Sequence, residues 1–286
     1  MKKIFRVIFK NVAKKFVGTG ISKNKVVFAI VEKAKEVLKE DYIMIEGCKL
    51  LLDKTDRHGF TIYGEEDPEE RELIKKVVKK DDNVVDIGAN IGIHTITLAK
   101  CVGEKGHVFA FEPSPYNVKL IGDSVKLNNF QNVTVVSKAI SDKPGKSKLF
   151  LSNGISAHSL SDFNYEKGSI DIEIESLDNY FNDYEGKINF LKIDAEGYDF
   201  KALKGAEKIL KNKEVKILIE FFPDRLKKAG DSPVKFLEYL IESGFTVTDL
   251  RKKKILQLDS IMETSEFYDS PPPNHFTNLF CERKDK

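Results

Sequence analysis

No run of eighteen apolar residues occurs in the chain, so it offers no candidate for a membrane-spanning helix. Cysteine is scarce. Cys48, Cys101 and Cys281 stand far apart and match no metal-ligand spacing. An odd count without a disulfide framework fits a reducing compartment better than secretion, so the expected location is the cytoplasm. Tryptophan is absent while Lys and Glu are abundant, a composition that suits a thermophile. Basic charge is missing where a nucleic-acid enzyme would need it. Residues 1–40 hold eleven Lys/Arg against three Glu, whereas the other 246 of the 286 residues hold thirty-six against forty-two acids. A mildly acidic main body argues against a nucleic-acid partner, because phosphate binding calls for a basic face.

At 41% hydrophobic and 32% charged, the chain can bury a sizeable core and stay soluble. Its first segment, "MKKIFRVIFKNVAKKFV", places Ile4, Phe5, Ile8, Phe9, Val12 and Phe16 on one helical stripe. Arg6 and Lys10 break the apolar stretch that a secretory signal would need. The stripe has two readings: a peripheral helix at the inner membrane surface, or a helix packed on the main body. A second helix is expected over about Val26 to Leu38. The domain reading is a basic helical segment over 1–40, then a hairpin ("YIMIEGCKLLLDK") and a helix ("DPEERELIKKVVKK") over 41–82. From 83 to 286 short apolar strands alternate with helices: "NVVDIG", "HVFAFEP", "VTVVSKAI", "INFLKID", "VKILIEFF", "FTVTDL" and a last strand, "HFTNLFCER". "YDFKALKGAEKILKN" reads as one helix. An inserted hairpin with a polar lid at about 145–176 interrupts the series. Such alternation predicts an α/β fold with a mostly parallel sheet covered on both faces. Its ligand then sits at the carboxyl ends of the strands, which here carry Asp86, Glu112 and Asp194.

The first of these ends runs "VVDIGANIGIHTITLAK". Gly88 and Gly92 let backbone approach a ligand and aim a helix N-terminus at it. A pyrophosphate-binding turn needs G-x-G-x-x-G. Asn90 and Ile93 occupy its second and third glycine places, which argues against a nicotinamide enzyme. Glu112 ends the next strand, where a carboxylate can accept both hydroxyls of a ribose. A nucleoside without phosphates, and with a cationic tail for Asp86, describes S-adenosylmethionine.

"VVDIGANIGIHTITLAK", "VFAFEPSPYNVKLI", "ESLDNYF", "LKIDAEGYDFKALKGA" and "VKILIEFF", in this order, resemble the FkbM family of S-adenosylmethionine-dependent methyltransferases over about Tyr42 to Glu282. The resemblance implies a Rossmann-like class I methyltransferase fold, with a seven-stranded sheet and an antiparallel last strand. It implies methyl transfer to a hydroxyl of a sugar, glycan or related small natural product. It also implies roles. Asp86, Gly88, Asn90 and Gly92 would line the methionine end of the cofactor, and Glu112 would bind the ribose. Ala139 and Ile140 would flank the adenine, with Asp142 reaching its amine. Asp194 would lie near the sulfonium and the acceptor. His94 stands where the family often has an aromatic residue.

A hydroxyl acceptor must lose a proton, so a base is needed nearby. Asp194 is the first candidate, with capping of the next helix as its competing role. Glu196 competes with helix-start electrostatics. Glu220 lies in an apolar strand that would raise its pKa. His158, in the lid, has an imidazole that titrates near neutrality. The three carboxylates would suit Mg²⁺, but nothing in their spacing requires a metal and none is expected. N- or C-methylation, including of RNA, and a non-catalytic nucleoside-binding or membrane-attached scaffold are the alternatives.

Overall fold

A computed structural model describes residues 33, 37–53, 56, 60, 68–151, 158–161, 168–269 and 276–283. The amphipathic stretch 1–17, most of the expected helix 26–38, most of the lid and the "SPPPN" connector lie outside the described residues. Strands β1 (Tyr42–Ile45) and β2 (Cys48–Leu51) pair antiparallel around Glu46 and Gly47. Both turn residues take positive φ, 51° and 79°, as a two-residue hairpin turn that matches strand twist requires. Helix α1 (Pro68–Val77) follows, with acids in its first turn and lysines in its last, complementing the helix dipole.

The main body then runs β3 (Asn83–Ile87), α2 (Ile93–Val102), β4 (His107–Phe111), α3 (Pro115–Leu127) and β5 (Val133–Val136). A side sheet holds β6 (Ala139–Ile140), β7 (Gly145–Phe150) and β8 (Ser169–Glu175), followed by α4 (Leu177–Tyr180). The main sheet resumes with β9 (Phe190–Ile193), α5 (Asp199–Lys204), α6 (Glu207–Leu210) and β10 (Lys216–Phe221). The last elements are α7 (Pro223–Lys228), α8 (Pro233–Glu242), β11 (Thr246–Asp249), β12 (Lys254–Ile255), α9 (Ile261–Asp269) and β13 (Thr277–Glu282).

The main sheet is ordered β12-β11-β13-β10-β9-β3-β4-β5. The five strands from β10 to β5 are parallel, and β13 runs antiparallel to both β10 and β11. The chain winds outward one way from β3 to β5 and the other way from β9 onward. The switch point therefore falls between β3 and β9, where a crevice must open. Strand alternation divides the core. Val84, Val108, Phe190 and Leu218 pack under α1 and α2. Val85, Ile87, Leu191, Ile193, Ile217 and Ile219 pack with α5 and α8 on the other face. Each such aliphatic side chain contributes about 1.5–3 kcal/mol by leaving water.

Three expectations are corrected. The sheet has eight strands, not seven: Asp249 Oδ1 accepts the amides of Arg251 and Lys252 at 3.0 Å each, turning the chain so that Lys254 and Ile255 pair back on β11. "VTVVSKAI" is two strands, because Ala139 and Ile140 leave the main sheet to pair with Ile174 and Glu175. "YDFKALKGAEKILKN" is two helices. Asp178 donates its amide to Gly205 O at 2.8 Å, and its carboxylate accepts the amides of Lys208 and Ile209, giving α6 its own N-terminus. No helix among the described residues is long and apolar enough to cross a membrane.

Candidate active site

Gly88, directly after β3, has φ +71°, and a Cβ built there would lie 1.8 Å from the carbonyl oxygen of Asp194. The turn after β3 thus presses on the end of β9. Gly88 and Ala89 both donate to Phe111 O, at 3.0 and 3.1 Å. Asn90 answers why the turn is not all glycine. Its φ of 53° is left-handed, a conformation asparagine tolerates better than most residues. Its amide donates to Glu112 Oε2 at 2.9 Å, and its side-chain oxygen accepts from Asn117 Nδ2 at 3.3 Å. Gly92, φ +97°, opens α2.

Glu112 follows β4 and is almost fully buried. Its Oε1 accepts from the Ser114 amide at 2.9 Å and from Asn117 Nδ2 at 3.3 Å. Burial pushes its pKa up to about 7; the donors from Ser114, Asn90 and Asn117 partly oppose this. Oε2 keeps lone-pair capacity for a further donor, and on Oε1 the 3.3 Å contact from Asn117, which is shared with Asn90 Oδ1, is weak enough for a second donor to displace. These groups line a cleft that is open to solvent. Its walls include Ile87, Gly88, Asn90, Phe111, Glu112, Asn117, Ala139, Ile140, Leu149, His158, Leu160, Asp194 and Glu196. The side sheet thus supplies one apolar wall. Ser159 Oγ donates to Glu196 O at 2.8 Å, tying the lid segment to the loop after β9.

Of the residues singled out from sequence, eight line this cleft: Gly88, Asn90, Glu112, Ala139, Ile140, His158, Asp194 and Glu196. Asp86, Gly92, Asp142 and Glu220 are not on its wall. Asp86 is fully buried beneath it and accepts from Thr95 Oγ1 at 2.6 Å. Its Oδ1 has no hydrogen-bond partner among the described residues, and burial raises its pKa. Asp142 is exposed and accepts from Ser141 Oγ.

The Asp194 end of the cleft is more charged than the sequence reading foresaw. Asp194 does not cap the next helix. Asp199, the first residue of α5, fixes the loop before the helix, accepting from the amides of Ala195 and Gly197 at 2.7 and 3.0 Å. Asp194 Oδ2 instead accepts from Lys192 Nζ at 3.1 Å. Burial works to raise the pKa of Asp194, but the Lys192 ammonium, its hydrogen bond and the Arg225 charge outweigh it and hold the carboxyl below its ordinary value. Glu196 pairs with Arg225. Glu220 stays well above the usual carboxylate range through burial and the charges of Asp194 and Asp199. His94 Nε2 lies 3.4 Å from Glu70 Oε2, and burial and Lys192 push its pKa down to about 3, so the ring is neutral. Asp194, Glu196 and Glu220 each bring a carboxylate oxygen within 4.8 Å of the others. A hard cation would have to compete there with Lys192 and Arg225, which already balance two of the three.

The sequence reading missed Lys192, Glu70 and Arg225. The one available signal was a lone lysine in the apolar run "FLKI", two residues before Asp194 and so on the same face of the strand.

A sheet of this order, with its last strand reversed and its cleft at the switch between β3 and β9, is that of the class I methyltransferases. The family model "Methyltransferase FkbM domain" matches residues 86–247, more than half of the chain. The chain belongs to the FkbM family of S-adenosylmethionine-dependent methyltransferases. Among curated proteins none matches it in sequence. Similar solved structures include methyltransferase FkbM from Methylobacillus flagellatus, at 15% identity and TM-score 0.44, covering 80% of this chain and 53% of that one. An rRNA methylase from Streptococcus thermophilus is 13% identical, with TM-score 0.45 and coverage of 76% and 95%. A SAM-dependent O-methyltransferase from Thermotoga maritima is 14% identical, with TM-score 0.45 and coverage of 91% and 82%.

Proposed function

We propose that the protein methylates a hydroxyl oxygen of a sugar, glycan or other small natural product. The observation that carries this reading is Asp194, a carboxylate held ionised at the cleft wall. A hydroxyl must shed a proton as it takes a methyl group, whereas a neutral amine can attack without a base.

The residues fit the cofactor. Glu112 offers lone pairs to a ribose diol, and Ala139, Ile140 and Leu149 give an adenine an apolar wall. Gly88, Asn90 and Gly92 shape the turn beside its amino-acid end, and the buried Asp86 carboxyl beneath that end has one oxygen, Oδ1, without a hydrogen-bond partner among the described residues. S-adenosylmethionine supplies a methyl activated by a sulfonium, so its leaving group becomes neutral. The protein's part is then to hold an acceptor oxygen in line and exclude water. Asp194 accepts the hydroxyl proton as the new O–C bond forms. Its reduced basicity is tolerable because the hydroxyl acidifies as the methyl arrives. Glu196 and His158 flank the acceptor side. Asp142, exposed beyond Ser141, takes no part in this assignment.

Calorimetric titration tests the cofactor half. S-adenosylmethionine and S-adenosylhomocysteine should each bind saturably and NADH should not; binding of NADH alone would end the methyl-transfer reading for this cleft. A panel of sugar and glycan hydroxyl acceptors, read by S-adenosylhomocysteine release, tests the other half. With an acceptor in hand, Asp194→Asn should lower turnover about 10²-fold or more while leaving cofactor affinity within a few-fold. Turnover equal to wild type would remove Asp194 as the base.

A further inference from the structure

We infer that Lys192 is a positioning residue for methyl transfer, holding Asp194 from inside the sheet as an ionised carboxylate of fixed orientation. This rests on the methyl-transfer reading above.

Lys192 is the third residue of β9, in register between Asp86 of β3 and Leu218 of β10. Its neighbours on the same sheet face, Phe190 and Leu218, belong to the apolar cluster under α1 and α2. The lysine itself is only 4% exposed. An ammonium in that position has lost its water, and only carboxylates can compensate the loss. A strand needing only shape and apolarity would carry leucine or methionine there. The ammonium is therefore a feature of the site, not of the sheet.

The geometry selects Asp194 as the partner. The i to i+2 spacing puts both side chains on one face, the lysine one step deeper. The lysine side chain is 5% exposed and the aspartate side chain 39%. The cation is thus sealed inside while the carboxylate reaches the cleft. Asp86, the other carboxylate in register, has one oxygen engaged by Thr95. Among the described residues the lysine's hydrogen bond goes to Asp194, where it engages Oδ2 and leaves the lone pairs of Oδ1 for another donor.

Acids crowd this pole. Asp86 comes from β3, Glu70 from α1, Glu220 from β10 and Asp199 from α5, while Glu196 lies two residues on. The balancing groups are Lys192, Arg225 of α7, which pairs with Glu196, and Arg71 of α1, which pairs with Glu46. His94 of α2 is neutral. Removing Lys192 leaves Asp194 among like charges in a partly dry site, and a proton would settle on it. A protonated Asp194 cannot act as base.

The test is carboxyl ¹³C NMR titration of aspartate-labelled protein, with Asp194 assigned through Asp194→Asn. In the wild type its midpoint should lie below the ordinary carboxylate value. In Lys192→Met, or Lys192→Gln should methionine disturb the fold, it should rise by more than one pH unit. Lys192→Arg keeps the charge and should stay near wild type. S-adenosylhomocysteine affinity should remain within about three-fold in all of them. With an acceptor, the charge-removing variants should lose kcat rather than raise the cofactor KM, and the pH profile should move upward. A wild-type midpoint at or above the ordinary value would overturn the inference without any variant, as would an unmoved midpoint in a folded Lys192→Met protein. Should the wild type fail to bind either adenosyl compound, the methyl-transfer reading falls, while the titration still decides whether Lys192 governs Asp194.

Discussion

Glu112→Ala is expected to weaken S-adenosylmethionine binding about 100-fold. Two ribose hydroxyls donating to one carboxylate are together worth about 3 kcal/mol, at the lower end for hydrogen bonds to a charged group. The variant also leaves the amides of Asn90 and Ser114 without their acceptor, so the turn itself should loosen. Glu112→Gln separates the two effects, since its amide oxygen can still accept while the charge is gone. The raised pKa adds a pH signature. Burial lifts Glu112 from the ordinary 4.5 to about 7, so its ionisation in the free protein opposes folding over that window, and its stabilising share is lost as pH rises through 7. Hydroxyl donors favour the ionised form, so cofactor affinity should climb with pH up to about 7, by at most about tenfold per unit. Calorimetry near pH 6 in buffers of different ionisation heat should show proton release on binding. Glu112→Gln should abolish that release. Unchanged affinity in Glu112→Ala would remove the ribose role.

Gly88→Ala should be the most damaging single methyl in the site. The residue sits at φ +71°, where an L side chain is strained, and the new Cβ would fall 1.8 Å from the Asp194 carbonyl oxygen. That oxygen is backbone at the end of a central strand and cannot rotate away. Either the turn or the end of β9 must move. Destabilisation of about 3 kcal/mol or more is expected, a fall in Tm of roughly 10 °C. Cofactor binding should be lost with it, since Asn90, Glu112 and Asp194 would no longer face one cleft. Gly122→Ala is the control. Gly122 lies inside α3, and a Cβ there meets nothing within 4 Å. That change should be neutral, or stabilising by about 1 kcal/mol through helix propensity. Thermal melts of the two variants, read together, distinguish close approach from glycine loss in general.

Much of this site is legible from residue order because its parts are local. Strand, glycine turn and helix follow each other within "VVDIGANIGIHTITLAK". The Asp-to-Glu spacing across one βα unit places Glu112 beside Asn90. The parallel sheet and its active edge follow from apolar strands alternating with helices. The breaks were less legible, because partners distant in sequence made them. Asp178 caps α6 from thirty residues away, so a continuous helical pattern becomes two short helices. Ala139 and Ile140 turn aside to meet β8, whose register no local pattern announces.

The charge arrangement divides the same way. By itself the sequence determined the fold class, the family and which strand ends carry carboxylates, since periodicity and turn chemistry act over a few residues. Only the tertiary structure decided which carboxylates are ionised. Lys192 meets Asp194, Asp86 stays buried, Glu220 sits half-buried near the charges of Asp194 and Asp199, and Glu70 arrives from a helix before the sheet begins. Ionisation depends on burial and on charges brought together by strand register and helix packing. Neither is a property of residues adjacent in sequence.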